Sequence, residues 1–417
     1  QGNGFSLANL TMDSDLLIDL SVDELLNISD ILSVDGGNLS TNNQLYLICD
    51  FTTGKTAQVA EVLGSIVGDV TVEQCFPARR AFRLLTSSVT TPATLSGSIR
   101  YNWQENASSY TDNPNPGYGT HITGVEPGPN DAVLSQDGDN GFDYSPSGNA
   151  SMFTYDNIKK RWSNVPNTTD PLTSGQPYRL MIRGSRAVNI TDNGSPISNT
   201  KLSATGELYV GTFTINSGLS DKLDTLNFIA NPYHAQVDIN SLLTTGSTNL
   251  QSSEYYVWDP TLGGPPTVGQ PGGRGAYVTV DLTTTPGSNS SGSSANEFLQ
   301  PMQAAFVRTG SAGTAPVINF QESMKAVDEV QTITKSLNQV EYINIKLFNA
   351  DSYELGNTPS DGLRINFDKS YSPTSEDDSP KLGNLDENLA RIEGNTFSAI
   401  ERRPFPEVEE KLDLFVN

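Results

Sequence analysis

Three aspartates fall within seven residues in Asp137-Gly138-Asp139-Asn140-Gly141-Phe142-Asp143. Carboxylates at alternate positions of a glycine-bearing turn can be aimed at one point, and calcium is held by about six to eight such oxygens. The spacing therefore nominates Asp137, Asp139 and Asp143 as ligands for Ca2+. The twelfth position of the run is Gly148, where an EF-hand would need a bidentate Glu, so the pattern is half of a calcium loop and not an EF-hand. The bland alternative is a solvated acidic loop.

Other chemistry is thin. The chain has two histidines, His121 and His234, so a His-rich metal site is impossible. Neither stands near an identifiable nucleophile in sequence, and no G-x-S-x-G elbow occurs. A hydrolase built on paired carboxylates has no motif behind it, because 48 acidic residues place some pair at a suitable separation by chance. The expectation is that the chain is not an enzyme. Trp103, Trp162, Trp258, Tyr255 and Tyr256 could stack on sugar rings or fill a core. Arg79, Arg80 and Arg83 form the densest basic group, which in so acidic a chain reads as a set of salt bridges. Cys49 shares an alternating face with Leu45 and Leu47. A Cys49–Cys75 bridge and two buried thiols both fit, and the sequence leaves them open.

The elements that must position these residues are strands. The chain has 417 residues and a formal net charge of −23. Such a surface repels phosphate backbones and anionic headgroups, which argues against nucleic acid as a partner. No apolar run approaches the ~18–20 residues of a helical membrane span. Ser, Thr and Asn make up more than a quarter of the chain, with 36 Gly and 24 Pro besides. That composition disfavours helices and suits short strands joined by turns. Residues 1–75 alternate short apolar pairs with polar turns, as at Leu16-Leu17-Ile18 and Ile31-Leu32-Ser33-Val34, which predicts the end of a parallel β-solenoid. Val70 and Val72 alternate with Thr71 and Glu73 as in a half-buried strand. Residues 76–322 carry strand signals such as Tyr178 to Arg183, Leu208 to Phe213 and Ala276 to Val280 between long loops, predicting a large antiparallel β-sandwich. The Ser/Thr/Gly-rich run from Thr283 to Asn296 predicts a mobile loop. Residues 323–417 predict a further β-sandwich unit. The fold expected is all-β: the end of a parallel β-solenoid followed by antiparallel β-sandwich domains.

Several motifs then fall in one order: Val70-Thr71-Val72-Glu73, Phe76-Pro77-Ala78-Arg79-Arg80-Ala81-Phe82-Arg83, Asn115-Pro116-Gly117-Tyr118-Gly119-Thr120-His121, Asn231-Pro232-Tyr233, Tyr256-Val257-Trp258-Asp259-Pro260, Gly275-Ala276-Tyr277-Val278-Thr279, Asp361-Gly362-Leu363, and the run from Lys381-Leu382 to Asn388-Leu389. Together they resemble the distal region, ahead of the sorting domain, of large surface proteins carried by type IX secretion in gliding Bacteroidota. The resemblance spans roughly residues 65–417. It implies an extracellular protein exported across the outer membrane, an adhesin, stalk or gliding-associated surface protein. Its implied partners are type IX outer-membrane translocon or shuttle components, with surface glycans as a further possibility for a glycan-binding module. It implies no ligand.

The C-terminal segment Lys411 to Asn417 alternates Leu412, Leu414 and Val416 without a turn signal. That pattern, with the longer β unit of the resembling family, predicts that the last unit is incomplete.

Overall fold

The computed structural model describes residues 4–51, 55–107, 110–125, 139–145, 148–192, 195–262, 275–284, 286–331, 341–354, 359–367, 371–372, 374, 378–381, 387–406 and 410–417. Strand accounts for 42% and helix for 6%, so the protein is all-β. The longest described helix, Ile239–Thr244, has six residues.

The first 76 residues lay down three parallel ladders at once. One joins Gly4–Leu7, Leu25–Ile28, Leu45–Leu47 and Asp69–Phe76. A second joins Leu10–Met12, Ile31–Val34 and Gln58–Val59. A third joins Leu16–Leu17, Asn38–Ser40 and Ser65–Val67. The register follows from apolar columns: Leu26 pairs with Leu45 and Leu45 with Val70, while Ile28 pairs with Leu47 and Leu47 with Val72. A slip of one residue would turn each column to the opposite face. Glycines let successive passes touch at the corners. Gly37 holds φ +67°, and a Cβ there would lie 2.3 Å from the Ser14 carbonyl carbon.

Asp69–Phe76 then pairs antiparallel with Thr200–Leu208 over all eight residues, so one sheet runs on past residue 75. A single apolar core, from Met12 to Met302, joins the two segments that composition had separated there. Both faces of Asp69–Phe76 are covered: Val70, Thr71, Val72 and Glu73 are all at most 5% exposed. The half-buried pattern expected for this strand is wrong because Thr71 bonds Thr205 and Glu73 pairs with Lys201 on the second face. The Leu208 to Phe213 strand also fails. Strand Thr200–Leu208 stops at its first residue, and the chain turns at Gly211 with φ +82° before Phe213–Ile215.

Two four-stranded sheets follow. In the first, Ala81–Leu85, Tyr178–Ile182, Met152–Asp156 and Arg161–Asn164 lie in that spatial order. In the second the order is Leu226–Ala230, Ala304–Arg308, Glu254–Asp259 and Ala276–Asp281. Each has its own apolar core on one face, and side chains from the other faces meet in a shared, largely aromatic layer. The described part of the Thr283 to Asn296 run is tied down by its own side chains. Asn289 donates to the carbonyls of Ser293 and Ala295, and the Ser293 hydroxyl donates to Asp259. Polar composition there supplies turn hydrogen bonds in place of a core.

A last sheet orders Glu341–Leu347, Asp361–Phe367, Thr396–Arg403, Leu389–Glu393 and Leu414–Val416. The final strand pairs with Leu389–Glu393 and turns Leu414 and Val416 outward, while Phe415 packs edge-on against Phe397. Of the alternating set, Leu412 packs against this sheet's core, while Leu414 and Val416 stay exposed beside Arg391 and Leu389.

Candidate functional site

Of the three nominated calcium ligands, Asp137 lies outside the described residues. Only the backbone of Asp139 is described, in the short turn Asp139–Gly141, where Asn140 takes φ 58°. Asp143 is 3% exposed and tied inward. Arg186, itself 2% exposed, donates Nη1 to its Oδ2 at 2.7 Å and Nη2 to its Oδ1 at 2.9 Å. The Ile122 amide donates to Oδ2 at 3.1 Å. His121 Nδ1 lies 3.3 Å from the same oxygen, and its Nε2 faces the carbonyls of Arg186 and Val188. Burial alone would raise the Asp143 pKa, but the bonds from His121 and Arg186 and the Arg186 charge outweigh it and hold it at about 2. A calcium ion at this carboxylate would have to displace that pair. Among the described residues, no three His, Cys, Asp or Glu side chains group closely enough to hold a metal ion.

The knot extends toward the parallel ladders. Glu105 is pushed up to about 7 by burial, against a bond from Asn115 and the charges of Arg186 and Lys201. Its Oε2 and Asn113 Oδ1 are buried without a hydrogen-bond partner among the described residues. Lys201 donates to Glu73 at 2.8 Å and to the Tyr118 hydroxyl at 3.1 Å. The Cys49 amide donates to Glu73 beside the Cys49–Cys75 disulfide, which settles the alternative the sequence left open.

His234 is neutral, held down to about 3 by burial and by the Lys325 charge. Ser88 Oγ lies 2.9 Å from its Nδ1 and Thr56 Oγ1 3.4 Å from its Nε2. Ser88 is 0% and His234 1% exposed, so the contact has no access to a substrate.

The five nominated aromatics divide. Trp103 and Tyr255 are core residues, the first edge-on to Tyr178 and the second bonded through its hydroxyl to Asn296. Trp162, Trp258 and Tyr256 instead join the layer between the two four-stranded sheets and stay half-buried. Tyr155 stacks edge-on against Trp162, and Tyr277 against Trp258. Tyr277 is 48% exposed and marks the open side of this seam. At its rim the Tyr256 hydroxyl bonds Glu254 and Arg308.

Arg179 sits inside the seam. Its guanidinium lies 3.8 Å from the Phe82 ring centroid, 5.3 Å from Trp162 and 5.9 Å from both Phe153 and Trp258. It is half-buried and makes no hydrogen bond or ion pair with another described residue. Burial lowers its pKa, and the Tyr277 phenol partly offsets that. The aromatic rings attract the cation by their quadrupoles, and among the described residues no side chain or carbonyl accepts from its N–H fork. Sequence reasoning missed Arg179 and Tyr277. The usable signal was alternation: Arg179 faces the seam between Tyr178 and Leu180, which face the core.

Arg83 is buried and Arg79 half-buried, both within the field of Asp259. Burial lowers both pKa values, to about 10 and about 9, while Asp259 raises them. Arg79 donates to the Thr261 carbonyl at 2.8 Å, and Arg83 lies over the Phe76 ring. Their partners thus include backbone carbonyls and a ring as well as a carboxylate's field.

No family model, curated protein or solved structure matches this chain. Among the described residues no helix is long and apolar enough to cross a membrane, which leaves membrane β-barrels unaddressed.

Proposed function

We propose that this chain belongs to an exported cell-surface protein, cargo of type IX secretion, that works as an adhesin or stalk. On this reading the three parallel ladders are the end of a β-solenoid, and the later sheets are β-sandwich units that carry the chain outward from it. The observation that carries the proposal is the Cys49–Cys75 disulfide, because such bonds persist in oxidising compartments and are rare in the cytosol. The ordered motifs that resemble type IX cargo support the route. The test is protease shaving of intact cells of a gliding Bacteroidota strain producing the full protein, beside the same strain with its type IX translocon disrupted. The proposal expects cleavage from outside in the first strain and periplasmic retention in the second. Equal protection in both strains would sink it.

A second reading is favoured by the seam. It sets the exposed Tyr277 ring against the half-buried Trp258, with Trp162 and Tyr155 packed behind, and aromatic rings at an open surface are how proteins hold sugar rings. The surface protein would then adhere through a glycan.

A further inference from the structure

We infer that the seam around Arg179 is a subsite for an anionic sugar residue, one whose ring bears a carboxylate or a sulfate ester. The inference rests on the glycan-binding reading above and specifies its ligand.

Three observations lead to it. First, Arg179 is a half-buried cation in a chain of net charge −23, yet it pairs with no carboxylate among the described residues. The other side of the comparison is Arg186, which in the same protein takes both oxygens of Asp143. A guanidinium presents a planar fork of donors that matches a carboxylate or a sulfate, and desolvating it without an acceptor is costly. Second, the groups around it are aromatic rings, the Phe82 centroid nearest at 3.8 Å from the guanidinium carbon, and rings attract a cation without accepting from its N–H donors as an anion would. Third, the open side of the seam carries Tyr277 and the half-buried Trp258, mutually edge-on with centroids 4.9 Å apart. A pyranose lying on such a ring would bring an equatorial acidic substituent toward the fork. A neutral sugar would gain the stacking and leave Arg179 as it is. The strongly acidic surface repels long polyanions, so the site suits a single acidic residue or a chain end.

The experiment is isothermal titration of the intact chain with tri-galacturonate, a sulfated carrageenan trisaccharide and cellotriose. Charge-assisted hydrogen bonds predict that at least one acidic trisaccharide binds roughly 10-fold or more tighter than cellotriose. Arg179→Met keeps bulk beside Phe82 and should abolish that preference, whereas Arg179→Lys should retain part of it. Tyr277→Ala should weaken all binding. The carboxylate and sulfate arms separate the two anion sources. Equal binding of acidic and neutral trisaccharides, unchanged in Arg179→Met, overturns the anion inference and leaves the glycan reading standing. Binding of none of the three overturns both. Should Arg179→Met not fold, quenching of Trp fluorescence in the wild-type chain decides: the inference requires a response to an acidic trisaccharide, weakened by added salt, and a smaller one to cellotriose.

Discussion

Asp143 and Glu105 are carboxylates that both feel Arg186 but titrate in opposite directions. Asp143 is held at about 2, so its contribution is present above the ordinary value near 3.8 and is lost as pH falls toward 2. Asp143→Asn should cost about 3–5 kcal/mol, because it takes the charged, two-oxygen partner away from the buried Arg186 cation. A urea midpoint close to wild type would contradict this account of the knot. Glu105 is raised to about 7, so the folded protein binds its proton more tightly than the unfolded chain, and stability falls as pH rises from about 4.5 to 7. His234 is depressed to about 3, so its contribution is present above 6.5 and is lost as pH falls toward 3. Between about pH 4.5 and 6.5 the two groups offset each other. Glu105→Gln removes one side of that balance. The variant should be more stable than wild type at pH 8 by about 1–2 kcal/mol, discounted for partial exposure. It should also gain a stability that rises with pH between 4.5 and 6.5. Chemical denaturation at several pH values reads both effects, and an unchanged profile would count against the Glu105 assignment.

Among the elements, the parallel ladders depend on corners that admit no side chain. Gly37 has φ +67°, a region L-residues rarely adopt, and a Cβ would meet the Ser14 backbone at 2.3 Å. Gly37→Ala should destabilise by about 1–3 kcal/mol. A control at Gly218, which also has positive φ but open space around the missing Cβ, should cost less. Equal losses at the two positions would show that backbone strain alone matters and that the corner contact does not. The Cys49–Cys75 bond ties the end of the last parallel strand back to the previous pass. The double variant Cys49→Ala/Cys75→Ala should lose about 3 kcal/mol, since the bridge closes a loop in the unfolded chain. A thermal melt unmoved by the double variant would mean that the bridge is absent or that its strain cancels its benefit.

At the scale of the molecule, a net charge of −23 makes the folded state repel itself. Raising sodium chloride from about 10 mM to about 150 mM shortens the Debye length from roughly 30 Å to 8 Å and should raise the melting temperature by a few degrees. A melting temperature that falls over this range would show that local ion pairs such as Lys201–Glu73 outweigh the overall repulsion.

Composition and the period-two apolar pattern were enough to determine an all-β chain, because they are local properties that each strand carries by itself. The strands around Tyr178, Leu226, Ala276, Ala304 and Leu363 were legible for the same reason. What lies opposite each strand is not local. The second face of Val70 to Glu73 reads as polar in sequence and is buried only because Thr200–Leu208, far along the chain, covers it. Asp143 reads as a loop carboxylate and is an internal ion pair only because Arg186 reaches it across 43 residues. Trp103 and Trp258 look alike in sequence, yet one is core and the other lines the seam. Arg179 carried no motif, and its setting exists only where two sheets bring their aromatic faces together. Side-chain type and alternation are written residue by residue, whereas desolvation and charge pairing belong to contacts between distant segments, and only the tertiary structure decides those.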